Sequence, residues 1–166
     1  MYIRKGTMED MAEVMALYTS HFGEEGVTWG EGYPNEEIFE KWDVLPGNLF
    51  CMIDEENGGV IAAVVSIEDD DEANIFPVWD RALEPALHFA RVGVKKGYEG
   101  RGLARQLIAH VLEEMRARGM RGARYLVGKD NVRAQKAYAA LQFHYAGQIR
   151  FYEDEYLCFE KDLQRA

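Results

Sequence analysis

The stretch GVKKGYEGRGLARQLIAHVLEEM, residues 93–115, limits the fold more than any other part of the chain. The residues before it, ALHFARV, read as a strand. Those after Gly102 place Leu103, Leu107, Ile108, Val111, Leu112 and Met115 on one helical face, and Gly119 ends the run. Strand, glycine turn and amphipathic helix therefore follow one another without a break. Such a turn gathers backbone N–H groups at a helix N-terminus, where unpaired donors and the helix dipole favour an anion such as pyrophosphate. Two other phosphate loops fail here: a P-loop needs Lys and Ser or Thr at its end, and a dinucleotide fingerprint needs a glycine where Arg105 stands. The plain alternative is a strand-to-helix turn with no ligand.

The flanking sequence sets the architecture. YIRKG reads as a first strand, and Thr7 as the N-cap of a helix through Phe22 with Met8, Met11, Val14, Met15 and Tyr18 as its apolar stripe. GVTWGEGYP is a loop, and Asn35 opens a short helix, NEEIFEKW. LFCMIDEENGGVIAAVVSIE is a hairpin turning at Asn57 and Gly58. The acidic run EDDDE, residues 68–72, and the stretch DDDEANIFPVWD read as solvated loop. ARYLV is a fifth strand, NVRAQKAYAAL a helix capped by Asn131, and FHYAGQIRFY and EYLCFEK two last strands. This order predicts a single α+β, three-layer domain over residues 1–166, with a mixed, mostly antiparallel sheet of about seven strands and about four helices.

Charge narrows the partners. The net charge is −10, which argues against nucleic acid as a partner, because phosphate backbones attract basic surfaces. Its distribution is uneven: residues 91–136 carry 12 Lys and Arg against 4 Asp and Glu, while the rest carries 7 against 25. A basic segment around the glycine turn suits an anionic ligand, and the acidic remainder suits a cationic co-substrate. No apolar run is long enough to cross a bilayer and the first residues lack a signal-peptide core, so a cytoplasmic protein with no membrane partner is expected. Cys51 and Cys158 are then reduced core thiols, and no spacing of Cys and His predicts a metal.

A second constellation, NVRAQKAYAALQF, carries Asn131, Ala134, Tyr138 and Phe143. Together with the glycine loop upstream it resembles the GNAT superfamily of acyl-CoA N-acyltransferases. The family pattern V-x-x-x-x-Q/R-x-x-G-x-G/A corresponds to Val94, Glu99, Gly102 and Ala104, and N-x-x-A-x-x-x-Y to Asn131, Ala134 and Tyr138. Glu99 departs from the family's Gln or Arg.

The resemblance implies acetyl-CoA as acyl donor and no metal. Backbone N–H groups from Gly100 through Gly102, Leu103, Ala104 and Arg105 would hold the pyrophosphate, with Arg101 and Arg105 adding charge. Val92, Gly93 and Val94 would diverge from the fifth strand and expose backbone groups to the pantetheine arm, Gly93 easing the approach. Asn131 would serve as helix cap and ligand contact. A neutral amine would attack the thioester directly, with an oxyanion held by an N–H near Val92 and Tyr138 as general acid to the leaving thiolate. The amine's base is less evident, because Ala90 and Arg91 stand where many relatives place a carboxylate. His88, Glu84 or a water relay could take the proton, and a histidine among apolar strand residues is also a structural residue. Arg91 could bind an acceptor carboxylate or pair with a neighbouring acidic side chain. WGEGYP, residues 29–34, would line the acceptor pocket or plug the core. Members of the family often pair through their last strands, so a homodimer is among the expected states. The implied function is acyl transfer to a primary amine of a small molecule or peptide. The alternative is a non-catalytic acyl-CoA sensor on the same fold.

Overall fold

The computed structural model describes residues 1–69 and 71–164. Seven strands form one sheet: β1 (Tyr2–Lys5), β2 (Leu49–Asp54), β3 (Val60–Glu68), β4 (Ala86–Val94), β5 (Gly122–Gly128), β6 (His144–Phe151) and β7 (Asp154–Asp162). Their spatial order is β1-β2-β3-β4-β5-β7-β6. All neighbours are antiparallel except β4 and β5, which are parallel. The glycine loop and helix α4 (Leu103–Ala117) lie between those two, supplying the crossover that a parallel pair requires. The expected mixed, mostly antiparallel sheet of seven strands is what the chain forms.

Alternation along the strands builds a core on each face of the sheet. Phe50, Met52, Val65, Ile67, Phe89, Tyr125 and Val127 pack against the Leu107, Ile108, Val111 and Met115 stripe of α4 and against Tyr138 of α5 (Val132–Tyr138). Leu49, Cys51, Ile53 and Val64 point the other way, onto Val14, Leu17 and Tyr18 of α1 (Met11–Thr19) and onto Phe39. At roughly 1.5–3 kcal/mol for each fully buried large apolar side chain, these two layers dominate the favourable side of folding. α2 (Glu36–Ile38) is capped by the Asn35 side chain, which accepts the Ile38 N–H at 2.9 Å, and continues into a wider turn, Phe39–Val44.

Three expectations change. Thr7 opens a tight turn, Met8–Asp10, before α1, and α1 stops at Thr19 rather than Phe22. Met8 is exposed, so the buried stripe begins at Val14 and includes Leu17. The segment after β3 is not simple loop: it contains α3 (Asp71–Asn74) and the buried Trp79, whose indole N–H donates to the Ala73 carbonyl at 2.9 Å. Within the acidic run, Glu68 ends β3 and pairs with Arg91 instead of facing only solvent, and Asp70 lies outside the described residues.

Candidate active site

The sheet opens where the sequence places the glycine loop. β4 pairs with β5 only at Ala86, Leu87 and His88, so from Phe89 onward the two strands diverge. On its other edge β4 remains joined to β3, with an irregularity opposite Val65 that brings Arg91 to a φ of +49°. Left-handed backbone in a large side chain is uncommon and concentrates at sites where neighbours hold it in place. The divergence forms a cleft of about 760 Å³. Val92, Val94, the glycine loop, Asn131, Ala134 and Tyr138 line one part, and Thr28, Trp29, Leu126 and Tyr156 another.

The glycine loop is a set of unused donors. The N–H groups of residues 99–105 donate to no protein acceptor among the described residues; the first bond of α4 is Gln106 N–H to the Gly102 carbonyl, at 3.1 Å. Gly102 is the N-cap with φ +73°, and the Arg105 guanidinium lies 3.3 Å from where a Cβ would stand. Tyr98 ties the loop down: its hydroxyl donates to Asp54 at 2.6 Å, and the Arg101 guanidinium sits 4.8 Å from its ring centre. The bond from Tyr98 holds the Asp54 carboxyl below the usual range, with Asn57 contributing.

All of the residues predicted for the ligand border this cleft: Val92, Gly93, Val94, Glu99, Gly100, Arg101, Gly102, Leu103, Ala104, Arg105, Asn131, Ala134 and Tyr138. Two details differ from expectation. The space a Gly93 side chain would fill is taken by Leu17, 2.5 Å from the Cβ position, with Trp29 at 3.7 Å, so this glycine admits α1 and Trp29 to the strand rather than a ligand. Glu99 is not a bare negative charge, because Arg133 of α5 pairs with it at 3.0 Å. Asn131 caps α5 by accepting the Ala134 N–H at 3.2 Å.

Tyr138 is 8% exposed, set edge-on against Phe89 and Tyr125 with ring centres 5.5 and 5.2 Å away. Burial, with Tyr125 alongside, raises its pKa, so the phenol keeps its proton at neutral pH. No hydrogen bond joins its hydroxyl to a protein group among the described residues. A protonated, unclaimed phenol at the cleft can act as an acid.

The two candidate bases do not reach the cleft. His88 lies at the closed end of β4, where it is the register partner of Arg124, and its ring meets Trp79 edge-on at 5.5 Å. Glu84 precedes β4 at the same end, bordering a separate hollow and paired with Arg81 at 2.7 Å. His88 is instead a buried neutral imidazole, 3% exposed with neither nitrogen bonded, whose pKa burial and the Arg124 charge push down to about 3. The unfolded chain binds a proton below roughly pH 6.5 while the native state does not. Stability from this group is therefore complete above that pH and is lost as pH falls toward about 3. His88→Leu should remove up to about 1.4 kcal/mol per pH unit from the acid slope. Urea midpoints at pH 7.5 and 4.5 measure it, and an equal acid loss in both proteins would refute it.

Sequence reasoning left out His21, Glu24, Thr28, Tyr98, Arg133, Lys136 and Tyr156, all of which border the cleft. His21 sits at the end of α1, its Nε2 2.7 Å from the Val94 carbonyl and its Nδ1 2.6 Å from Glu24. Nothing in its local sequence signals that pairing, which spans 73 positions. Arg91 does pair with acidic neighbours, the second of the two roles expected for it: Asp43 at 2.7 Å and Glu68 at 3.0 Å.

Comparison with known proteins agrees with the geometry. The profile of the Acetyltransferase (GNAT) family matches residues 12–143. No curated protein matches the chain. Among solved structures, the ribosomal-protein-alanine N-acetyltransferase from Brucella melitensis superposes with a TM-score of 0.75 at 18% identity, covering 98% of this chain and 99% of that one. An N-acetyltransferase from Staphylococcus aureus Mu50 gives 0.72 at 18% identity over 98% of each chain. YncA from Salmonella typhimurium, solved with its cofactor acetyl-CoA, gives 0.72 at 17% identity, covering 100% of this chain and 95% of the other. At these identities the superpositions speak for the fold.

Proposed function

Since the chain belongs to the GNAT acetyltransferase family, we propose that it transfers an acetyl or other short acyl group from acetyl-CoA to a primary amine of a small molecule or peptide, both substrates being bound at once. The observation that carries this reading is the run of unbonded N–H groups at residues 99–105, opening at the N-terminus of α4 onto the cleft that Tyr138 borders. A pyrophosphate suits that array of donors, and Arg101, Arg105, Arg133 and Lys136 border it with positive charge. The free edge of β4 beyond His88 offers backbone groups to the amide-bearing pantetheine arm. When bound, acetyl-CoA supplies a thioester carbonyl open to attack by a neutral amine. Backbone near Val92 supplies the N–H that stabilises negative charge on the carbonyl oxygen, Tyr138 gives its proton to the departing sulfur, and the proton that the attacking nitrogen loses as the amide forms returns to the tyrosine oxygen, so that the exchange balances. The solved neighbours include enzymes acting on a ribosomal-protein alanine and a complex with CoA and a Gag peptide, which supports a peptide N-terminus as one acceptor class.

The first test is calorimetric titration with acetyl-CoA, with CoA and ATP as comparison ligands, followed by CoA release against a panel of primary amines. Saturable binding that prefers acetyl-CoA, and turnover with an amine, are expected; no binding at millimolar ligand would overturn the reading. Binding without turnover on any amine would favour the sensor alternative. Glu99 offers a finer check. Glu99→Gln removes a carboxylate from the phosphate end and frees Arg133, so acetyl-CoA should bind about two- to fivefold more tightly, the scale of an exposed ion pair, and the gain should shrink in salt. Unchanged affinity at low salt would show that the ion pair already cancels the charge.

A further inference from the structure

The segment that leads from β4 into the donor array, residues 95–102, has little within itself to fix its shape. Gly97, Gly100 and Gly102 all stand at positive φ, +94°, +77° and +73°, and a side chain at Gly97 or Gly100 would meet no neighbour within 4 Å. Lys95, Lys96, Gly97, Glu99, Gly100 and Arg101 are exposed. Inside the segment the Tyr98 N–H donates to the Lys95 carbonyl at 2.9 Å, and Arg101 Nη2 reaches the Gly97 carbonyl at 3.4 Å. Glycine loses more backbone freedom on being fixed than any other residue, so a ligand that had to order this loop would forfeit much of its binding energy. Tyr98 is anchored where its neighbours are not. Its ring packs against the main core, its hydroxyl donates to Asp54 Oδ2 at 2.6 Å, and the Arg101 guanidinium lies over the ring. Asp54 ends β2 and is 4% exposed. The same Oδ2 accepts from Asn57 Nδ2 at 2.5 Å, and the Asp54 carbonyl accepts the Gly59 N–H at 3.0 Å, so the hairpin turn holds the carboxylate independently of the loop.

We propose that Asp54 is a positioning residue for the acyl donor: through the Tyr98 hydroxyl it latches the glycine loop in the shape that presents its N–H groups, although Asp54 itself does not border the cleft. This assignment rests on the acyl-transfer reading. Three features favour it over a bond that merely steadies the hairpin. The bond is short and charge-assisted, which makes it stronger than one between neutral groups, and it joins two elements 44 positions apart. Tyr98 directly precedes Glu99, the first residue of the unbonded run, and its ring carries Arg101, one of the cations bordering the phosphate end. Holding one side chain therefore aims both the backbone donors and a guanidinium. Charge alone argues against an acidic group joined to this loop, because it opposes an anionic ligand, so the use of Asp54 lies in where it holds Tyr98. Glu99 is the contrast: it pairs with Arg133 at the surface, and its removal relieves repulsion without releasing the Tyr98 anchor. The two carboxylates should act on acyl-CoA affinity with opposite signs.

The test is calorimetric titration of acetyl-CoA and of CoA into the wild-type chain, Tyr98→Phe, Asp54→Ala, Asp54→Asn and the double variant Tyr98→Phe/Asp54→Ala. Tyr98→Phe keeps the ring in the core and under Arg101 and removes only the bond, so it should weaken acetyl-CoA and CoA alike by at least fivefold. Asp54→Ala should weaken both at least as much, whereas the loss of a repelling charge alone would tighten them. Asp54→Asn keeps an oxygen that can accept from the hydroxyl and should fall between Asp54→Ala and the wild type. Because the two residues act through one bond, the double variant should lie within twofold of the weaker single variant. A loss of less than twofold in Tyr98→Phe, tighter binding by Asp54→Ala, or losses that multiply in the double variant would each overturn the latch while leaving acyl transfer in place. If Asp54→Ala does not fold, Tyr98→Phe and Asp54→Asn carry the comparison, with the larger loss expected in Tyr98→Phe. No saturable binding by the wild type at millimolar ligand would overturn the acyl-transfer reading and this assignment with it.

Discussion

Gly102→Glu should weaken acetyl-CoA binding more than 100-fold in a calorimetric titration while the protein remains folded. Three effects act together at this position. The backbone is left-handed, φ +73°, which costs a side chain about 1–2 kcal/mol. The new carboxylate would project from the N-cap of α4 into the array of donors that the pyrophosphate requires, setting like charge against like charge. It would also form beside the Arg105 guanidinium, 3.3 Å from the Cβ position, and draw that cation away from the ligand. Gly102→Asn separates these effects, since asparagine tolerates the same backbone without the charge. A loss of at most tenfold is expected there. Equal losses in the two variants would make strain the whole explanation, and unchanged affinity in Gly102→Glu would remove the loop from the binding site.

The difference between what could and could not be read from the sequence follows the range of the contacts involved. The glycine loop, the α4 stripe and the Asn131 cap are local: each depends on residues within a few positions, and each stands where the periodicity and the cap chemistry put it. The hairpin at Asn57 and Gly58 is local in the same sense. The ion-pair cluster around Arg91 is assembled from distant parts. Arg91 reaches 48 positions back to Asp43 and 58 back to Tyr33. A sequence gives no measure of which acidic residue such an arginine will find. His88 shows the converse error. Its strand and its ordinary pKa made it a reasonable base, but strand register places it opposite Arg124, before β4 and β5 separate, and burial against Trp79 leaves it no route to the cleft. Gly93 was read as easing a ligand's approach because the family resemblance placed a ligand there, whereas the place of its missing side chain is filled by Leu17, with Trp29 in ordinary contact. Residue type announced a close approach, and only the fold could say what approaches.

Tyr138→Phe should lower kcat about 10²- to 10³-fold and leave the acetyl-CoA KM within twofold, in the range expected when a positioned acid is removed. The substitution deletes one oxygen and keeps the ring, so the edge-on contacts with Phe89 and Tyr125 survive. Since no protein group among the described residues bonds that hydroxyl, its loss leaves no buried partner unsatisfied and should shift the thermal midpoint by no more than about 2 °C. Stability and activity are therefore expected to separate. A tyrosine is already protonated at neutral pH, and burial, which raises the pKa of this one, keeps it so into the alkaline range while making it a weaker donor, so the proton transfer to sulfur depends on position rather than on acidity. The departing thiolate is a weak base, and water can protonate it slowly, so residual turnover should persist in the variant. Steady-state kinetics alongside calorimetric acetyl-CoA affinity decide the matter. An equal loss in kcat and in affinity would reassign Tyr138 to packing, and an unchanged kcat would mean that the thiolate leaves without help from this residue.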